Sequence, residues 1–146
     1  MTLAYVKSKR TALSWDPEFK PNLPDLENFL AKILEKNSVT NTEIFMLCLG
    51  IGFNEGLKRD VPPRKSDAVR LSYLKDGHMA IIKSVAISDT KDDLVLLDED
   101  KIYDISEQYA ATGLMMLSGA MKSEPDFTGW LTALLFNQAK EAGSLS

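Results

Sequence analysis

The chain has 146 residues, 45% of which are hydrophobic, and its net charge is −4 with an isoelectric point near 5.0. This size predicts one domain with its own hydrophobic core. The acidic balance argues against a protein that coats nucleic acid, although it leaves room for a local basic patch. The sequence has no signal-peptide pattern, no apolar run of about 20 residues and a lone cysteine. We therefore expect a cytoplasmic protein without a membrane anchor.

The first part of the chain combines basic residues with proline. Three prolines between residues 17 and 24 disfavour helix, so residues 1–23 are predicted to form an extended basic arm. A single helical domain is expected over residues 24–142, followed by a disordered tail over residues 143–146. The first helix should cover about residues 24–36, because apolar side chains recur there at helical spacing.

The second helix has the clearest start signal in the sequence. Thr40 and Glu43 form a capping-box pattern, in which each side chain accepts a hydrogen bond from the backbone N–H of the other. The residues that follow, IFMLCLGIGF over 44–53, are apolar on every face, which predicts a central helix surrounded by others. Three glycines, each costing about 1 kcal/mol relative to alanine inside a helix, indicate close neighbours: Gly50, Gly52 and Gly56.

The second half of the chain predicts three more helices and short extended segments. Alternating polar and apolar residues favour a strand over 68–74, and the apolar residues 94–97 are a second, shorter candidate. Helices are expected over about 77–88, 99–121 and 125–142. The predicted fold class is mainly α: a compact bundle of about five helices around a central apolar helix, with space for one short β-strand pair.

The residues that most often carry chemistry do not form a recognised site. The glycines of GIGFNEG lack the preceding strand of a phosphate-binding loop, and the carboxylates of residues 89–100 lack the central glycine of a calcium loop. Cys48 and His78 would serve a small enzyme only if the fold joined them, and Cys48 lies in an apolar helix. We predict no catalytic residue, no metal and no cofactor, and keep that enzyme as the third hypothesis.

The connector after the second helix, KRDVPPRK, begins the most basic stretch of the chain. This connector and the strand and turn after it carry six candidates for contact with DNA phosphates: Lys58, Arg59, Arg64, Lys65, Arg70 and Lys75. Lys7, Lys9 and Arg10 of the arm would extend this surface. The alternative interpretation is the ordinary solvation of a charged loop.

A second charged surface is predicted at the start of the long helix. It consists of four carboxylates, which are called the acidic edge from here on: Asp98, Glu99, Asp100 and Asp104. Because acidic groups repel DNA, this surface is assigned to a basic partner protein.

Three segments together resemble a known family: IFMLCLGIGFNEGLKRDVPP, AIIKSVAISDTKDDLVLLDED and ISEQYAATGL. They are similar to dnd-system-associated protein 4, a small protein encoded beside bacterial genes for DNA phosphorothioation modification and restriction. The resemblance covers about residues 40–120 and leaves out the arm and the last helix. It is carried by residues that shape the fold, among them Ile105, Tyr109, Ala110, Gly113 and Leu114. It implies a bacterial defence context and no catalytic residue.

The sequence therefore favours a non-catalytic accessory protein. It would dock onto a larger subunit of a DNA phosphorothioation-linked restriction or modification system that serves phage defence. A DNA-binding regulator or sensor that uses the 58–75 segment is the alternative function. The oligomeric state stays open.

Overall fold

The computed structural model describes residues 4–62 and 67–144, which form five helices and one small antiparallel sheet. The predicted mainly α fold with one strand pair is confirmed. In chain order the elements are β1 (Ala12–Ser14), α1 (Leu23–Ile33), α2 (Asn41–Glu55), β2 (Asp67–Arg70), α3 (Asp76–Thr90), α4 (Glu99–Ser123) and α5 (Phe127–Ser144). Three short 3₁₀ helices lie between these elements, at Lys20–Asn22, Leu71–Tyr73 and Asp93–Leu97. None of the helices described is long and apolar enough to cross a membrane.

The start of α2 is formed by the predicted capping box. The Glu43 N–H donates to Thr40 Oγ1 at 3.1 Å, and the Thr40 N–H donates to Glu43 Oε1 at 3.2 Å. The helix ends at Gly56, whose φ of 72° lies in the left-handed region that favours glycine. Fully buried residues lie along one side of α2, whereas residues such as Met46 are half-buried and Gly50 is exposed. The helix is therefore less enclosed than its apolar run predicts.

The packing of α2 against α4 depends on one glycine in each helix. A Cβ atom at Gly52 would overlap the backbone carbonyl of Tyr109, and a Cβ atom at Gly113 would overlap the backbone carbonyl of Cys48. The two backbones are therefore in direct contact. The prediction of close neighbours is confirmed at Gly52 and wrong at Gly50 and Gly56, where nothing lies within 4 Å of the added atom.

The extended segment before α1 is part of the packed structure. β1 pairs antiparallel with β2, and Leu13 lies opposite Val69 in the ladder. Leu13 and Trp15 are both buried, and the Trp15 ring centroid is 5.7 Å from that of Phe45 in α2. The segment predicted as an arm therefore contributes to the hydrophobic core from Leu13 onward.

The strand candidates are only partly correct. The predicted strand over 68–74 ends at Arg70 and continues as a 3₁₀ helix. Residues 94–97 are not a strand, because they belong to a 3₁₀ helix in which the Leu94 N–H donates to the Asp92 side chain at 2.9 Å. The predicted disordered tail begins at 143, but α5 continues to Ser144, and residues 145–146 lie outside the described ranges.

The glycine contact makes a prediction about stability. Gly52→Ala should destabilise the fold by about 3 kcal/mol, because the added methyl group must separate two helix backbones. Gly50→Ala is the matched control in the same helix, and it should stabilise the fold by up to about 1 kcal/mol through helix propensity. Urea unfolding of both variants measures the difference. Equal effects at the two positions would contradict the role assigned to Gly52.

Candidate functional site

Lys58 is exposed, but it is paired with charged and aromatic groups of its own chain. Its Nζ atom is 3.0 Å from Asp89 Oδ2 and 5.9 Å from the centroid of the Tyr109 ring. The Tyr109 hydroxyl donates to Asp89 Oδ1 at 2.5 Å. Asp89 belongs to α3 and Tyr109 to α4, so the cluster joins both helices to the segment that follows α2. Burial and the Asp89 carboxylate together raise the pKa of Tyr109 to about 12.

Arg59 is held by the segment that leads into α1. Its guanidinium lies 3.2 Å from the buried carboxylate of Asp16 and 2.9 Å from the exposed carboxylate of Glu18. The same group stands 5.0 Å from the centre of the Phe19 ring. The Arg59 N–H also donates to the Gln108 carbonyl in α4 at 3.1 Å. Two of the six predicted DNA contacts, at positions 58 and 59, are therefore paired with carboxylates of the same chain.

The other basic candidates separate into two groups. Arg64 and Lys65 lie outside the described residues. Arg70 and Lys75 line one cleft of about 770 Å³, together with His78 and the first residues of α2. No carboxylate among the described residues lies within ion-pair distance of Arg70 or Lys75, although Glu43 and Asp67 are also in the wall of the cleft.

The acidic edge begins with a helix cap. The Asp98 side chain accepts a hydrogen bond from the Lys101 N–H at 3.2 Å, so Asp98 starts α4. Glu99, Asp100 and Asp104 continue along the first turns of the helix. The side chains of Asp100 and Asp104 are 49% and 52% exposed, which leaves both carboxylates within reach of another molecule.

An extended segment of the same chain lies across the acidic edge. This segment, residues 5–10, is called the strap. The Val6 N–H donates to the Leu97 carbonyl at 2.6 Å, and the Glu99 N–H donates to the Val6 carbonyl at 3.0 Å, in a parallel β-bridge. The Ser8 N–H donates to Glu99 at 2.8 Å, and the Ser8 hydroxyl donates to Asp100 at 2.6 Å. A hydrogen bond to Glu99 raises the pKa of Tyr5 to about 12.

Arg10 completes the attachment of the strap. It is hydrogen-bonded to Asp104, lies 3.7 Å from Asp100 and donates to Glu107 at 3.1 Å. Glu107 is only 8% exposed, and burial is the main cause that raises the pKa of its carboxyl group. The Ser14 N–H also donates to Glu107 at 2.6 Å. Arg10 was expected to extend a DNA-binding surface, and it instead faces carboxylates of its own chain.

Cys48 and His78 have different surroundings. Cys48 is completely buried beside Gly113, and burial raises the pKa of its thiol. His78 lines the cleft, where its Nδ1 atom accepts a hydrogen bond from the Lys75 N–H at 3.0 Å and caps the start of α3. Among the described residues there is also no group of three or more side chains placed to hold a metal ion.

The pairing of charges is the main feature that the sequence did not predict. Glu107 is not among the residues that the sequence singles out, and Asp89 is singled out only as a surface carboxylate for calcium or a partner protein, because a carboxylate within a helix normally faces solvent. Their partners, Arg10 and Lys58, are far away in sequence. The only local signal is the position of Glu107 on the same helical side as apolar residues such as Tyr103.

Comparison with known proteins assigns the chain to a family. The model for the family described as DNA sulphur modification system-associated protein 4 matches residues 25–145. The chain belongs to this family. The match extends beyond the expected region of residues 40–120 to most of α1 and all of α5. The searches of curated proteins and of solved structures found no match.

Because of the Tyr109–Asp89 hydrogen bond, the free energy of unfolding should depend on pH in the alkaline range. An unfolded tyrosine ionises near pH 10, whereas Tyr109 in the fold stays neutral until about pH 12. The stabilisation is therefore complete below pH 10 and is lost as pH rises towards 12, by about 2 kcal/mol. Urea unfolding between pH 7 and pH 11.5 should show a shallower alkaline decline in Tyr109→Phe than in the wild type.

The control for this experiment is Tyr73→Phe, which removes the hydroxyl of a tyrosine that is 64% exposed. It should leave the decline of the wild type unchanged. A Tyr109→Phe profile parallel to that of the wild type would contradict the assignment.

Proposed function

We propose that this protein is a non-catalytic accessory of a bacterial DNA sulphur modification system and acts by docking onto a larger protein subunit through the acidic edge. The family name supports the association with such a system. The observation that carries the docking role is the pair of half-exposed carboxylates, Asp100 and Asp104, next to a backbone position that already accepts an extended segment. The wider setting that we propose is a cytoplasmic restriction or phage-defence function.

The distribution of charge favours a protein over DNA as the main partner. Lys58 and Arg59 are paired with carboxylates, so they offer little net charge to a phosphate backbone. Arg10 offsets one charge of the acidic edge, and the carboxylates that remain would repel DNA and attract a basic protein surface. The buried Cys48 thiol, with its raised pKa, offers no reactive nucleophile and supports a binding role.

The docking proposal predicts a charge-dependent complex. Asp100→Lys combined with Asp104→Lys should weaken binding to the partner subunit by about tenfold or more, because two attractive charges become repulsive. The measurement is isothermal titration calorimetry of the purified protein with each purified protein of the same DNA sulphur modification system.

Glu124→Lys is the matched control for this charge reversal. It reverses one carboxylate, against two in the test variant, at the other end of α4, about 30 Å away at 1.5 Å per residue, and it should leave the affinity unchanged. The proposal is wrong if no subunit of the system binds the wild type, or if both variants weaken binding equally.

The cleft gives a second candidate function, contact with the DNA backbone. Arg70 and Lys75 face the same space, and neither has an ion-pair partner among the described carboxylates. Two such cations would bind phosphates but could not identify a base sequence, because phosphate contacts are the same along any duplex. This candidate is a sensor or regulator that contacts the DNA backbone without recognising the base sequence.

The DNA candidate predicts a small and specific salt effect. Arg70→Glu combined with Lys75→Glu should weaken binding to a mixed-sequence duplex by about tenfold or more and reduce the slope of log affinity against log salt by roughly 1.8, about 0.9 for each phosphate contact. Fluorescence anisotropy at several salt concentrations measures the slope. Lys122→Glu, at an exposed position near the end of α4, is the control and should change it little. Wild-type affinity that does not depend on salt would exclude this function.

A further inference from the structure

The surface that holds the strap is called the seat from here on, and it consists of the acidic edge together with Leu97 and Glu107. The seat is more than a cluster of carboxylates. It also presents the Leu97 carbonyl and the Glu99 N–H side by side, and both are hydrogen-bonded to one extended residue, Val6. Beyond this bridge, Ser8 and Arg10 turn towards α4, while Lys7 and Lys9 are exposed. This alternation is the pattern of a β-strand added to a receptor surface.

We propose that the strap occupies the place of a partner segment, and that the partner supplies an extended basic stretch with a serine or threonine followed two positions later by an arginine. This inference rests on the proposed docking function and adds the chemistry of the ligand. The strap would then act as a competitor within the same chain, which the partner must displace.

The buried carboxylate of Glu107 determines that the ligand must bring a cation. Glu107 is 8% exposed and receives hydrogen bonds from Arg10 and from the Ser14 N–H. A displaced strap would remove the Arg10 charge and leave a buried carboxylate with one donor, which is unfavourable unless another cation takes its place. A guanidinium suits the position, because it also reaches Asp104 through a second nitrogen.

The rest of the strap defines the other positions of the ligand. The Ser8 hydroxyl donates to Asp100, so a small side chain with an O–H group belongs two residues before the arginine. The Val6 backbone supplies one donor and one acceptor, which any residue except proline can provide. No acidic residue occurs in the first 15 positions of the chain, in keeping with the charge of the seat.

The strap is attached in a way that permits exchange. Tyr5 and Val6 are both exposed, so the strap buries little apolar surface. The chain enters the hydrophobic core from β1 onward, at Leu13 and Trp15. A segment held by a few hydrogen bonds and partly exposed ion pairs opens far more readily than the core, which allows a competing segment to bind.

The test uses the full chain and a peptide with the sequence of its own strap. The probe is a fluorescent peptide of residues 4–12, AYVKSKRTA. The receptor variant is Val6→Pro with Ser8→Pro, which removes two N–H donors of the strap and the Ser8 hydroxyl that donates to Asp100. Fluorescence anisotropy should show that the variant binds the peptide at least tenfold more tightly than the wild type does. A probe with glutamate in place of its arginine should bind the variant at least tenfold more weakly.

Two controls separate this effect from damage to the fold. Lys7→Pro places proline in the same strap, at a position whose N–H donates to none of the described residues, and should behave like the wild type. Adding Asp104→Lys to the receptor variant should abolish peptide binding. If circular dichroism shows that the double proline variant is unfolded, Val6→Pro alone is used, since Val6 lies outside the core.

Equal peptide affinity of the wild type and the proline variant, or no binding to either, would overturn the inference.

The same proline variant should also bind the partner subunit at least fivefold more tightly than the wild type. If the peptide binds as expected and no subunit of the system does, the docking function fails while the seat remains. If a subunit binds and the proline variant does not improve its affinity, the competition fails while the docking function remains.

Discussion

The contact between the backbones of α2 and α4 is the constraint on which the rest of the structure depends. Gly52 and Gly113 permit it, because any side chain at either position would meet a carbonyl group of the opposite helix. The close approach brings the Phe53 ring to within 5.4 Å of the Tyr109 ring and sets Tyr109 beside Asp89 of α3. The position of α4 in turn fixes the acidic edge at its first two turns. The surface proposed for docking is therefore located by two residues that have no side chain at all.

Local patterns in the sequence were sufficient for the helices. The capping box at Thr40 depends only on residues three positions apart, and helical spacing depends on the few residues of each turn, so both can be recognised without knowledge of the fold. The strand pair could be anticipated only in part, because β2 finds its partner in β1, on the other side of two helices. Residues 94–97 have the composition of a strand but lie between aspartates that favour a tight turn.

The candidate surfaces were harder to predict, because a sequence shows charges without their partners. The basic stretch that begins at Lys58 has the composition of a phosphate-binding surface, yet its first two residues are neutralised by Asp89, Asp16 and Glu18. The carboxylates at the start of α4 were recognisable as a group, but the segment that covers them comes from the opposite end of the sequence. In each case the missing information is a contact between residues that are far apart along the chain.

The pairing of β1 with β2 also has a consequence for the order of folding. Leu13 must find Val69, and the intervening chain includes α1 and α2, so closing this loop carries a large entropic cost before any contact compensates for it. The helical turns form from near neighbours and do not face that cost. We expect the two strands to join late, onto helices that are already in place. During synthesis, most of the residues that form the helices would therefore leave the ribosome before β1 is fixed in its final position.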